Sequence, residues 1–152
     1  MTRFITILLA DDDEDDRNTA AEALKESGLP SEMRFVENGE VLLDYLRREH
    51  QFAAPEASPR PNLVLLDLNM PRKDGRAALR EIKADPSLRH IPIVVMTTSN
   101  GTDEILQSYT DGASSFITKP TTFAGLVDMM RTLGRYWSEI VELPVYVDAW
   151  ER

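Results

Sequence analysis

Five polar side chains each follow directly on a short apolar run. Asp11 and Asp12 follow Phe4 to Ala10, Asp67 follows Leu63 to Leu66, Thr97 follows Ile91 to Met96, and Lys119 follows Ser114 to Thr118. If those runs are parallel strands, all five groups meet at one sheet edge. Three carboxylates brought together there repel one another, so keeping them ionised requires a cation or strongly raised pKa values. A hard, oxygen-liganded divalent ion answers that requirement, and Mg²⁺ is usually held by one or two carboxylates plus waters and a phosphate oxygen. Asp12 and Asp67 are the expected direct ligands, with the backbone carbonyl of Asn69 as a further oxygen and Asp11 acting through water. Mn²⁺, which takes the same oxygen donors, is expected to substitute. A carboxylate can also attack phosphorus, giving an aspartyl phosphate. A phosphoryl group on Asp67 would then need its charge met by the metal and the Lys119 ammonium, with the Thr97 hydroxyl completing the cradle.

The elements that must position these groups follow from the hydropathy pattern. Five β-branched or leucine-rich runs, at 4–10, 32–36, 63–66, 91–96 and 114–118, alternate with stretches of helical period at 14–27, 39–50, 74–84, 101–111 and 121–141. That alternation predicts an α/β fold, a (βα)5 doubly wound five-stranded parallel sheet, which binds ligands outside the carboxyl ends of its strands. Runs 63–66 and 93–96 are apolar on both faces and are expected in the middle of the sheet. In the last helix Phe123, Leu126, Val127, Met130, Leu133, Trp137 and Ile140 form one core-facing stripe. Residues 51–62 hold Pro55, Pro59 and Pro61 and are expected to be a surface loop.

The chain has 152 residues, a net charge of −9 and no cysteine, which bounds the chemistry further. This is one domain's worth of chain. Without cysteine, disulfides, thiol catalysis and zinc–thiolate sites are excluded. With a pI near 4.7, nucleic acid is not an expected partner, because polyanion affinity comes mainly from Lys and Arg. The first apolar run is too short for a membrane span and leads into six consecutive acids at 11–16, so neither a signal peptide nor membrane insertion is expected. A cytoplasmic location is the expectation.

The ordered motifs resemble one family. Leu-Leu-Ala-Asp-Asp-Asp (8–13), Leu-Leu-Asp-Leu-Asn-Met-Pro-Arg-Lys-Asp-Gly (65–75), Val-Met-Thr-Thr-Ser (95–99), Gly-Ala-Ser (112–114) and Thr-Lys-Pro (118–120) resemble the receiver domains of two-component response regulators. Each motif is weak alone, but their order and spacing over residues 4–140 are specific. The resemblance implies a flavodoxin-like receiver fold with Asp67 as phosphoacceptor, Asp11 and Asp12 as the acidic pocket, Thr97 as the switch hydroxyl and Lys119 as the ammonium. It also implies a cis peptide before Pro120 and an aromatic switch residue at Phe116, where a phenylalanine stands in place of the commoner tyrosine. Asn69 and Ser99 are candidates for tuning hydrolysis of the phosphoryl group. The implied activity is signalling rather than enzymatic turnover: phosphoryl uptake from a sensor histidine kinase, a conformational switch and slow autodephosphorylation.

The long connection before the third strand, Thr-Thr-Ser after the fourth, and Tyr136, Trp137 and Val141 to Pro144 look most like single-domain regulators paired with bacterial phytochrome-type histidine kinases. On that pattern residues 1–141 form the receiver, with no DNA-binding output domain. Residues 142–152, with Val145, Tyr146, Val147 and Trp150, form an apolar tail expected to dock or to join a homodimer interface with the fourth helix, fifth strand and fifth helix.

Other readings compete with this one. A Mg²⁺-dependent phosphohydrolase with an aspartyl nucleophile would commonly place an acid two residues after Asp67, where this chain has Asn69. A flavin or nucleotide binder would need a Gly- or Ser/Thr-rich loop after the first strand, where this chain has acids. An EF-hand over Asp11 to Glu22 would have Asp16 at the glycine position and would follow a strand rather than a helix. Glu14, Asp15 and Asp16 themselves read as the solvated acidic first turn of a helix.

Overall fold

The computed structural model describes residues 3–144. Five strands alternate with five helices: β1 (Ile5–Ala10), α1 (Glu14–Glu26), β2 (Ser31–Val36), α2 (Gly39–Arg47), β3 (Leu63–Leu66), α3 (Gly75–Ala84), β4 (Ile93–Thr97), α4 (Thr102–Thr110), β5 (Ser115–Thr118) and α5 (Phe123–Arg135). All pairings are parallel, in the order β2-β1-β3-β4-β5. The sheet reverses direction of growth between β1 and β3, and β3 is its centre. β4 lies inside the sheet as its hydropathy predicts. So does β1, where all six residues are buried.

Strand pleating sorts the core into two layers. Ile5, Ile7, Leu9, Leu63, Leu65, Val94 and Met96 pack under α1 and α5. Leu8, Ala10, Val64, Leu66, Ile93 and Val95 pack under α2 and α3. A one-residue slip of any of these strands would exchange its two faces, so the register is firmly specified.

Short polar side chains start four of the helices. Asp13, Asn38, Asp74 and Thr122 each accept from a backbone N–H in the first turn of α1, α2, α3 and α5. Helix α4 differs: Gly101 gives it no side-chain cap, and Ser108 is the one buried residue along it. Few buried contacts and an open end make α4 the least anchored of the five helices.

Two expectations are corrected. Phe123 and Ile140 are 47% and 71% exposed rather than core-facing. Phe123 is the first residue of α5, and Ile140 closes a π-helical turn, Tyr136–Ile140, whose wider winding rotates it off the stripe that buries Leu126, Met130 and Trp137. Residues 51–62 lie mostly at the surface, as expected, but are anchored at their C-terminal half. Tyr45 donates to the Pro59 carbonyl at 2.7 Å, Arg60 donates to the carbonyls of Tyr45 and Leu46, and Ser58 is fully buried. The expected cis bond is absent: the described residues contain no cis peptide, and Lys119–Pro120 is trans, the form an X–Pro bond intrinsically favours. Of the C-terminal tail, Leu143 packs on the α1/α5 core layer, and residues 145–152 lie outside the described residues.

The turn entering β4 titrates. Lys83 Nζ donates to the carbonyls of Arg89 and Ile91, on either side of His90. Burial first, then the Lys83 charge, hold the His90 imidazole below its usual 6.5. A depressed histidine pKa means that the unfolded chain binds the proton more readily, so stability falls as pH drops through 6.5. Urea unfolding between about pH 7.5 and 5.5 is expected to show a smaller acid-side loss for His90→Gln than for the native chain.

Candidate functional site at the carboxyl edge of the sheet

Register brings the polar groups together. Ala10 pairs with Leu66, so Asp11 and Asp67 follow side by side, while Thr97 pairs with Thr118 and Lys119 comes next. The backbone ladder extends into the site: the Asp67 N–H donates to the Ala10 carbonyl at 3.0 Å and the Lys119 N–H to the Thr97 carbonyl at 2.8 Å. Both reactive side chains therefore spring from sheet backbone.

Beyond β3 the chain turns sharply, and the Gly75 N–H closes the turn on the Leu68 carbonyl. A Cβ on Gly75 would lie 2.3 Å from the Asp67 carbonyl oxygen, so the turn holds its shape because residue 75 lacks a side chain. Gly39 is equally constrained, with the Lys73 carbonyl oxygen 2.3 Å from where its Cβ would stand.

Asp11, Asp12 and Asp67 each offer a carboxylate oxygen within 4.8 Å of the others. Asp11 is buried at 1% exposure, Asp67 is 9% exposed, and Asp12 faces solvent. Burial raises the Asp11 pKa, and the Asp13 N–H and Lys119 partly offset it. This set of hard oxygens, buried at Asp11 and open to solvent at Asp12, suits a divalent cation such as Mg²⁺ or Mn²⁺ and offers nothing to a soft one.

Three groups surround the Asp67 carboxylate, two at one oxygen and one near the other. Thr97 Oγ1, fully buried, donates to Oδ1 at 3.1 Å, and the Asn69 N–H donates to the same oxygen at 3.1 Å. Lys119 Nζ stands 3.6 Å from Oδ2, 3.0 Å from Asp11 Oδ2 and 3.2 Å from Asp16 Oδ2. Burial alone would lower the Lys119 pKa, but Asp11, Asp67 and Asp16 outweigh it and hold the ammonium at about 12. Asn69 Nδ2 donates to Ser99 Oγ at 2.9 Å and to Thr97 Oγ1 at 3.3 Å, so Asn69 and Ser99 border Asp67.

The chain matches the family model of the response regulator receiver domain over residues 7–131. It belongs to that family. Response regulator Rcp1 of Synechocystis is 39% identical over 138 residues, covering 91% of this chain and 92% of that protein. The structure of the phosphorylated cyanobacterial phytochrome response regulator RcpA superposes with a TM-score of 0.85 at 38% identity, over 94% of this chain and all of that one. Response regulator RPA3017, in red light signalling of R. palustris, superposes at 0.88 with 34% identity, over 93% of this chain and 99% of that one. The receiver fold and the likeness to phytochrome response regulators agree with the motifs.

Phe116 stands apart from the acid cluster. It is half-buried on β5 against the α2/α3 core layer, paired with Val95, and its N–H donates to the Tyr109 hydroxyl of α4 at 3.2 Å. Sequence reasoning did not find Tyr109, Arg76 or Asp16. Arg76 on α3 pairs with Glu104 on α4 and reaches Asn69 Oδ1 at 3.4 Å, so the loop after Asp67 is tied to α4. Asp16 meets Lys119 across 103 residues of chain, a pairing that no local spacing carries. Among the described residues no helix is long and apolar enough to cross a membrane.

Proposed function

We propose that this receiver takes a phosphoryl group from a sensor histidine kinase onto Asp67 in a Mg²⁺-dependent step. The observation that supports it is the grip on one carboxylate: Thr97 at one oxygen, Lys119 at the other and the Asp11/Asp12 acids alongside. In the transfer the phosphorus–nitrogen bond of a phosphohistidine breaks, a phosphorus–oxygen bond to Asp67 forms, and the imidazole nitrogen keeps the electron pair. Asp12, Asp67 and the Asn69 carbonyl would hold the metal, with Asp11 through water. The bound cation would neutralise phosphoryl charge. Lys119 neutralises a second part of that charge, and Thr97 supplies a hydroxyl donor.

The switch would run through α4. Thr97 turning its hydroxyl to the phosphoryl group would break its contact with Asn69, whose Oδ1 accepts from the Arg76 that pairs with Glu104 on α4, and change the space available to Phe116. α4 is the weakly anchored element that such a change can bias. Asn69 and Ser99, at the mouth of the site, would govern water access and thus slow autodephosphorylation.

A bacteriophytochrome-type kinase is the proposed donor, in keeping with the relatives that are phytochrome response regulators. Phosphotransfer from such an autophosphorylated kinase, lost with Asp67→Asn, is the expected result; transfer that survives this substitution would refute the assignment. A homodimer through α4, β5, α5 and the tail is proposed from exposed Leu106 and Tyr109 on α4 and Tyr136 after α5, at 65%, 48% and 50% exposure. Sedimentation showing only monomer across concentrations, with and without beryllofluoride, would refute it.

A further inference from the structure

We propose that Asp16 is a positioning residue for Lys119: a counter-ion on α1 that shares the ammonium with Asp11 and gives it up when Asp67 carries a phosphoryl group. This rests on the reading of Asp67 as phosphoacceptor. Lys119 Nζ lies closer to Asp11 (3.0 Å) and Asp16 (3.2 Å) than to Asp67 (3.6 Å), so the resting ammonium is held off the carboxylate it is to serve. The two holders differ in kind. Asp11 is buried and fixed by the Asp13 N–H, whereas the Asp16 side chain is 49% exposed and free to rehydrate when its partner leaves.

Asp16 is nonetheless well placed. Its N–H donates to Asp13 Oδ1, the N-cap of α1, which sets the first turn so that its carboxylate faces the β5–α5 junction. Asp15, next to it on the same turn, is exposed and makes no ion pair among the described residues. The first turn therefore carries three acids of equal charge, Glu14, Asp15 and Asp16, and of these Asp16 is the one that touches the ammonium. A dianionic phosphoryl group on Asp67 presents a stronger attractor than Asp16, and the ammonium shifts by breaking one solvent-accessible ion pair. Asp16 thus sets how readily Lys119 is released to the incoming phosphoryl group.

The test compares the native chain with Asp16→Asn, Asp16→Glu and the charge-matched Asp15→Asn. Three quantities are read: beryllofluoride affinity with Mg²⁺, the rate of phosphorylation by acetyl phosphate, and the ¹⁵N resonance of Lys119 Nζ without phosphoryl donor. Asp16→Asn is expected to raise affinity and rate roughly three- to fivefold, the scale of one partly exposed ion pair. It is also expected to move the Lys119 resonance, with Asp16→Glu close to native and Asp15→Asn changing neither. Equal effects of Asp16→Asn and Asp15→Asn would reduce the result to net charge and overturn the proposal. So would an Asp16→Asn chain that matches or falls below native while native phosphorylation is intact. If the native chain takes up no phosphoryl group, the reading of Asp67 fails first and the proposal falls with it, a result distinct from the other two.

Discussion

Lys119→Ala is expected to slow phosphorylation of Asp67 by roughly a hundredfold or more, the usual consequence of removing one pre-placed charge from a developing phosphoryl dianion. The same substitution strands Asp11. That carboxylate is 1% exposed and has Lys119 at 3.0 Å and the Asp13 N–H at 2.9 Å as its partners. Losing the cation from a buried pair costs about 3–5 kcal/mol when both ions are enclosed. Here the Lys119 side chain is 16% exposed and solvent reaches Asp12, so about 2–3 kcal/mol is the expected loss. Urea unfolding without metal reads this directly. Adding Asp11→Asn to Lys119→Ala should recover most of the stability and none of the phosphorylation rate, because it removes the stranded charge without restoring the ammonium. A single variant as stable as native would show that Lys119 does not compensate the buried Asp11 charge. The Lys119 side of the pair has a definite sign with pH, whereas burial pushes the Asp11 carboxyl above its usual range and works the other way. The Lys119 pKa is raised from 10.5 to about 12, so its stabilisation is complete below 10.5 and is lost as pH rises through 12.

Gly75→Ala is expected to damage the site through the backbone alone. The new Cβ would stand 2.3 Å from the Asp67 carbonyl oxygen and 2.8 Å from Leu68 Cα, and neither atom can rotate away as a flexible side chain could. The turn that follows Asp67 must open, which costs about 1–3 kcal/mol or more as an overpacked contact and displaces the Asn69 N–H from the acceptor. Phosphorylation should fall with stability. Gly101→Ala is the control, since nothing lies within 4 Å of its Cβ position and its φ is negative. Its stability should change by about 1 kcal/mol or less. Equal losses from the two substitutions would contradict the steric account.

Much of the site was legible because each of its groups ends an apolar run. Leu-Val-Leu-Leu before Asp67 and Ile-Val-Val-Met before Thr97 read as buried strands, and parallel strands carry their terminal residues to one edge. What local pattern could not show depends on third-dimension neighbours. Asp16 reads as an ordinary acidic first turn until Lys119, from β5, is seen beside it. Arg76 reads as a helix-surface cation until Glu104 of α4 faces it. The misplacement of Ile140 has another origin: a stripe counted at 3.6 residues per turn fails once the helix widens into a π turn at Tyr136–Ile140. The prolines of 51–62 mark it as a surface loop, but its anchoring, by Tyr45 of α2 and its own Arg60, runs through backbone carbonyls that no local pattern shows.

Intact-mass measurement after incubation with acetyl phosphate tests the central claim most directly, on the native chain and Asp67→Asn, each with Mg²⁺ and with chelator. A single phosphoryl adduct is expected on the native chain with Mg²⁺ and none in the other three samples, with beryllofluoride binding as the check against rapid self-hydrolysis. An adduct that persists in Asp67→Asn, or a native chain that gains neither adduct nor bound beryllofluoride, would contradict it.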